Sequence, residues 1–384
     1  MAHIGFLSSY PPTRCGLATF TQHLALAMTT PHDTAFVVRV VESPTEVQRH
    51  QDHRVPVLTH LNHGDLDSVK RAVEQLNAAD LAVIQHEYGI YGGTDGNQVL
   101  EVMAQLTAPT IVVLHTVLSR PTLGQRQVLE QVVRLASAVV VMSDAAQHTL
   151  LDQYRVGRSQ VTVIPHGVDV EAESSDTSHD QHDGRESERP VILTWGLLGP
   201  GKGIETGITA LQYLSDLDPL PLYRVLGQTH PKVVAHQGEA YRAELMELAI
   251  SIGVQSMVDI DGQYLGSQEL GRALTRADVV LLPYQSRSQV TSGVLAEAVA
   301  AGKPVVATAF PHAVEMLGDG AGTVVPHEDA EAMAVALREI LTHREIREQM
   351  SRLAKNSAVM ASWPAVGARY RRLAQHLQMR AVAS

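Results

Sequence analysis

Short apolar runs punctuate the chain at residues 3–8, 34–41, 81–86, 110–114, 138–142 and 161–164. A second series follows at 191–195, 222–226, 257–260, 279–282, 304–308 and 323–325. These runs are apolar throughout rather than alternating, which is what strands covered on both faces require. The stretches between them carry helical spacing. Leu17, Phe20, Leu24, Ala27 and Met28 share one face, as do Tyr241, Leu245, Leu248, Ala249 and Ile252. Strands and helices in alternation imply parallel sheets joined by right-handed crossovers. The two series therefore predict an α/β chain of two doubly wound domains.

Between the series lies residues 171–188, rich in Ser, Asp, Glu, His and Gly and almost without large apolar residues. Such a stretch buries too little surface to offset its ordering entropy. The expected organisation is a first domain over 1–170, a linker over 171–189, and a second domain over 190–362. A last helix is expected over 363–384, set off by Ser362-Trp363-Pro364, where proline interrupts a helical pattern. Two domains of this type usually bind ligands in the cleft that their strand C-termini face.

Length and charge narrow the classes. A chain of 384 residues suits two α/β domains better than one core. The formal net charge of −11 argues against a nucleic-acid surface, which needs a basic excess. Cys15 is the only cysteine, so no intrachain disulfide forms, in keeping with a reducing compartment. The start of the chain has no basic n-region, and no stretch approaches the ~18 apolar residues that would span a bilayer. A cytoplasmic protein without an integral membrane segment is expected.

Three loops carry candidate chemistry. Tyr10-Pro11-Pro12-Thr13-Arg14-Cys15-Gly16 links the first strand to the first helix. Gly16 would let backbone N–H groups approach an anion, or it is a plain strand-to-helix turn. The loop is not a Gly-x-Gly-x-x-Gly fingerprint, which counts against a dinucleotide enzyme. The second loop, Gly196-Leu197-Leu198-Gly199-Pro200-Gly201-Lys202-Gly203, follows the run 191–195. Its glycines and Lys202 suit a phosphate cradle with a point-charge clamp, although a surface lysine in a mobile turn would read the same. Gly203 stands where a Walker A loop needs Ser or Thr. In the third, a polar loop after 279–282 gives way to a small-residue helix near Ser292 and Gly293. The free amides of that helix start could hold a diphosphate. Glu297, one turn on, could accept ribose hydroxyls, or it is an ordinary solvated carboxylate.

Taken together these residues resemble family 4 of the retaining nucleotide-sugar glycosyltransferases, which have the GT-B fold. The carriers are Pro-Pro-x-x-x-Gly ending at Gly16, Gly196 followed by Lys202-Gly203, and the run Glu297-Ala298-Val299-Ala300-Ala301-Gly302-Lys303-Pro304-Val305-Val306. The resemblance implies two Rossmann-like domains with an interdomain cleft and a C-terminal helix that crosses back to the first domain. It gives the donor diphosphate to Lys202 and to the amides of Ser292, Gly293 and Val294, and the ribose to Glu297. Gly16 and Gly196 line the donor, and His115 lies beside the anomeric carbon of the transferred sugar. The run Gln85-His86-Glu87-Tyr88-Gly89-Ile90-Tyr91-Gly92-Gly93 resembles a mannosyltransferase-like branch. It implies that His86, Glu87 and Tyr88, with Arg14, meet the acceptor.

Two departures stand out. The family's first carboxylate of Glu-x7-Glu is Gln289, which can hydrogen-bond a sugar but brings no charge to the transition state. The arginine expected just after Gly196 is Leu197, which leaves more to Lys202. No paired aspartates and no Cys/His spacing suggest a metal, so none is expected to be required. The implied reaction passes a hexose, foremost mannose from GDP-mannose, to a saccharide with retention, giving an α-linkage. Alternatives are UDP-glucose as donor, a sugar-nucleotide epimerase or phosphorylase on the same fold, and a non-catalytic nucleotide-binding relative.

Overall fold

The structure, a computed structural model, describes residues 2–42, 54–169 and 189–383, so the expected linker at 171–188 lies outside the described residues. In chain order the first part forms β1 (His3–Ser8), α1 (Gly16–Met28), β2 (Thr34–Val41), β3 (Val57–Asn62), α2 (Leu66–Asn77), β4 (Leu81–His86) and α3 (Gln98–Met103). It continues with β5 (Thr110–Leu114), α4 (Leu123–Leu135), β6 (Ala138–Val141), α5 (Asp144–Gln153) and β7 (Val161–Val163). The rest forms β8 (Val191–Trp195), α6 (Ile204–Ala210), β9 (Leu222–Leu226), α7 (Pro231–Gln237), α8 (Ala240–Ser251), β10 (Val258–Asp261), α9 (Ser267–Arg276) and β11 (Val279–Leu282). After these come α10 (Gly293–Ala300), β12 (Val305–Thr308), α11 (Pro311–Leu317), β13 (Gly322–Val325), α12 (Ala330–Thr342), α13 (Arg344–Ala358) and α14 (Trp363–Ala383).

Helix starts follow their capping residues. Asp65 accepts from the Asp67 and Ser68 amides at α2, Thr122 and Gln125 form a capping box at α4, and Ser143 caps α5 through the Ala146 amide. Pro364 falls in the first turn of α14, where its missing N–H costs nothing.

The chain forms two compact units. The first comprises Met1–Gly167, Ser288–Thr291 and Met360–Ser384, and the second Val168–Arg287 and Ser292–Val359. The segment 288–291, expected in the second domain, joins the first because Val290 is buried in that unit's core. Each unit holds one parallel sheet with helices on both faces. The first has seven strands in the order β3-β2-β1-β4-β5-β6-β7, and its order reverses between β1 and β4. The second has six, in the order β10-β9-β8-β11-β12-β13, and reverses between β8 and β11. At such a reversal the flanking strand-to-helix loops diverge and leave a crevice beyond the strand C-termini.

One face of the first sheet, with Ile4, Phe6, Val83 and Val113, packs on Phe20, Leu24 and Met28 of α1 and on Trp363, Val366 and Tyr370 of α14. The last helix therefore completes the first unit. Contact is close: a Cβ added at Gly367 would lie 2.2 Å from the carbonyl oxygen of Ala27. Replacing Gly367 by alanine should cost about 1–3 kcal/mol through forced separation of the two helices. Urea denaturation reads this as a lower midpoint. Gly157→Ala, with nothing within 4 Å, serves as the neutral comparison, and equal midpoints for the two variants would refute the close packing.

Candidate functional site

In the second unit the candidate site starts from glycine geometry at the β8–β11 reversal. Gly196 (φ 118°) turns the chain out of β8, and Gly203 (φ 67°) starts α6 in the left-handed conformation. A Cβ at Gly203 would fall 1.9 Å from the Pro283 carbonyl oxygen, so the loop after β8 lies directly against the loop after β11. The Gln285 amide donates to Gly201 O at 3.0 Å and ties the two together.

Lys202 projects from this junction. Its Nζ sits 4.4 Å from the centre of the Tyr284 ring, a cation–π contact that fixes where the charge lies. Tyr284 is itself held. It is buried, stacks on Phe310 with ring centres 5.4 Å apart, and its carbonyl accepts from Thr308 Oγ1 at 2.6 Å and bonds His327 Nδ1 at 2.9 Å.

Helix α10 starts beside them. Ser292 caps it, with Oγ accepting from the Leu295 amide at 3.2 Å. The Ser292 amide, expected to face a phosphate, instead donates to His312 Nδ1 at 2.9 Å, because the buried cap turns its N–H inward. First-turn amides of Gly293 and Val294 have no carbonyl partner within the helix. Glu297 lies one turn on, half-buried. Burial lifts its carboxyl to about 7 against a donated hydrogen bond from Trp195, and the Asp169 charge adds to the rise.

In the first unit the β1–α1 loop ends at Cys15, whose Sγ accepts from the Ala18 amide at 3.4 Å, and α1 opens on the exposed Gly16. Arg14 is exposed in the same loop. Across the reversal, β4 and β5 end on His86 and, one residue past the strand, His115. The ring Nε2 of His115 lies 2.7 Å from Gln85 Oε1, and the ring meets Phe20 edge-on at 4.8 Å. Burial, with smaller contributions from His166 and His86, brings the His115 pKa down to about 3, so its imidazole is neutral.

His86 departs from expectation. It is 1% exposed, packed against the Tyr88 ring, and neither ring nitrogen has a hydrogen-bond partner among the described residues. Glu87 and Tyr88 are half-buried, and the Glu87 carboxylate accepts from Thr116 Oγ1. Gln289 lies in the segment counted with the first unit, its Nε2 donating to Thr291 O at 3.2 Å.

Four residues of this arrangement escape a sequence reading. Tyr284 under Lys202, Trp195 on Glu297, Gln85 on His115 and His312 on the α10 cap act across separations from 20 to about 100 positions. Only Tyr284 and Trp195 carry a local hint, as large rings closing buried strands at a reversal.

Comparison with known proteins agrees with this fold. The profile of the Glycosyltransferase Family 4 matches residues 15–172, and that of the glycosyl transferases group 1 matches residues 175–357. The D-inositol 3-phosphate glycosyltransferase of Saccharomonospora viridis is 30% identical over 242 residues, which are 61% of this chain and 54% of that protein. The chain thus matches about half the length of such relatives. Among solved structures, HepE of Anabaena in complex with UDP and glucose superposes with a TM-score of 0.77 at 17% identity, covering 98% of this chain and 100% of that one. Sucrose-phosphate synthase of Thermosynechococcus elongatus does so with a TM-score of 0.77 at 18% identity, covering 100% of both chains. At such identities these two structures bear on the fold alone. With two profiles matched in succession over two parallel-sheet units, the chain belongs to the family 4, group 1 glycosyltransferases of GT-B fold.

Proposed function

We propose that this chain is a metal-independent, retaining hexosyltransferase whose second unit grips a nucleotide sugar. The observation that carries the reading is Lys202, poised over Tyr284 beside the open first-turn amides of α10, where the second sheet's order reverses. A fixed cation and oriented N–H groups stabilise negative charge that develops on a leaving diphosphate. In the reaction the bond from the sugar's anomeric carbon to the diphosphate oxygen breaks. A bond to the acceptor oxygen forms on the same face, and the acceptor proton passes to the departing phosphate. His115, neutral by burial, would serve the transferred sugar as a hydrogen-bond partner rather than as an acid.

GDP-mannose is the donor we favour, on the resemblance around residues 86–93. UDP-glucose stands second, and the UDP and glucose bound to HepE support testing it. A water-soluble saccharide or polyol fits as acceptor. The relatives named for D-inositol 3-phosphate add inositol phosphates to the panel. Among the described residues no helix is long and apolar enough to cross a membrane, and we place the reaction in the cytoplasm.

Release of GDP or UDP from a set of nucleotide sugars, with acceptors present, tests the function. Product NMR should show an α-anomeric proton. Donor binding without turnover on the whole panel would favour a non-catalytic relative, and a β-linked product would overturn the mechanism. The same assay in excess EDTA should retain full rate, since amides and Lys202 replace the metal. Loss of rate restored by magnesium or manganese would contradict this.

Glu297 should make donor use depend on pH. Above about 7 the ionised carboxylate offers lone pairs to both ribose hydroxyls, whereas below it one oxygen carries a proton. kcat/KM for the donor should rise between pH 6 and 8, and Glu297→Gln should flatten the profile. Stability runs the other way. The folded pKa lies above the ordinary 4.5, so the native state holds its proton longer than the unfolded chain. Relative to the Gln variant, wild-type stability should fall as pH rises from 4.5 to about 7 and level off beyond, by at most ~3 kcal/mol.

A further inference from the structure

We infer that Gln85 is a positioning residue for the transfer reaction: its side-chain oxygen holds the proton of His115 on Nε2 and so turns the bare Nδ1 into a hydrogen-bond acceptor for the sugar. The inference rests on the reading of His115 as a partner of the transferred sugar. Its geometry stands apart from that reading.

A neutral imidazole carries one N–H and one lone pair, and the partner of one nitrogen decides which is which. Gln85 Oε1 lies 2.7 Å from His115 Nε2, a full-strength hydrogen bond in which the amide oxygen accepts. Gln85 is 0% exposed. Strand alternation places its side chain on the same sheet face as Leu81 and Val83, where Phe20 also packs. Phe20 stands perpendicular to the His115 ring at 88° and blocks its rotation. The ring is thus fixed in plane by one neighbour and in tautomer by the other. Burial keeps His115 neutral throughout the physiological range, so the tautomer is the only variable left for Gln85 to set.

A glutamine is also an odd filler for this place. Its Nε2 is buried and has no partner among the described residues, a desolvated donor pair that a methionine of like volume would not carry. Retaining an amide with half its hydrogen bonds unmade is explained when the other half performs a task.

Long-range 15N–1H spectra of histidine-labelled protein read the tautomer directly, and His115→Asn assigns the resonances by their loss. Wild type should show His115 protonated on Nε2. Gln85→Met, which keeps volume and removes the acceptor, should lose that preference and lower kcat about 10-fold with little change in donor KM. Gln85→Leu, shorter and likewise without an acceptor, should lose the same preference and decides the matter if Gln85→Met does not fold. An Nδ1–H tautomer in wild type overturns the inference, as does a Gln85→Met protein with wild-type tautomer and kcat. A tautomer that shifts while kcat holds overturns the role of His115 in transfer and leaves Gln85 as its structural partner.

Discussion

Lys202→Met should lower kcat/KM for the donor by about 10- to 100-fold while leaving the fold intact. The fold survives because little of the core depends on the ammonium. The ammonium rests on the face of Tyr284, a contact of about 0.5–1 kcal/mol at a half-exposed site. The function suffers because a charge-assisted contact to a departing diphosphate is worth roughly 1.5–3 kcal/mol, all of it in the transition state. Leu197 in place of the family's arginine gives no second cation in the same loop to share the load. Loss should fall on kcat rather than on KM, since charge on the leaving group grows as the bond breaks. Tyr284→Leu should reproduce part of the defect, whereas Tyr284→Phe, which keeps the ring, should not. Steady-state kinetics with the preferred donor decides, and wild-type values for Lys202→Met would remove the second unit's loop from the donor site.

Gly203→Ala should abolish measurable donor binding, at least 100-fold by calorimetry, although the variant contains one added methyl group. The residue lies at φ 67°, where alanine pays about 1–2 kcal/mol, and the new Cβ would stand 1.9 Å from the Pro283 carbonyl oxygen. The two loops must move apart to relieve that overlap, and the displacement carries Lys202 and Tyr284 with it. A shift of about 1 Å in positioned groups can cost 100-fold. Gly201→Ala separates the causes. At φ 90° with nothing within 4 Å, it has the backbone strain without the collision, and should lose far less affinity. Equal behaviour of the two variants would mean that contact between the loops is irrelevant to donor binding.

Most of the strands were legible because a parallel strand buried on both faces is written mainly in apolar residues, as residues 81–84 and Val279–Leu282 are. β3 was not, for the converse reason. It is an edge strand with only Leu61 fully buried and Leu58 half exposed, so Val-Leu-Thr-His-Leu-Asn shows no unbroken apolar run. The glycine loops and the α10 start were visible as punctuation between strand and helix. What the side chains do there was less so. That the Ser292 amide turns to His312, that His86 is sealed behind Tyr88 and that Lys202 rests on Tyr284 are facts of tertiary packing, and no spacing rule in a single chain encodes them.

The first unit is built from the two ends of the chain, and this bears on its birth at the ribosome. Residues up to 167 emerge before any of the second unit, and the sheet can cover Phe20, Leu24 and Met28 from one side, yet the share of their cover that Trp363, Val366 and Tyr370 supply follows only later. For nearly two hundred residues of synthesis the earliest segment presents an oily stripe on α1, and at ~5–20 residues per second that exposure lasts on the order of ten seconds or more. The second unit, whose pieces lie between, can close first. The nascent chain is thus at its most vulnerable to misassociation in the half that is made earliest.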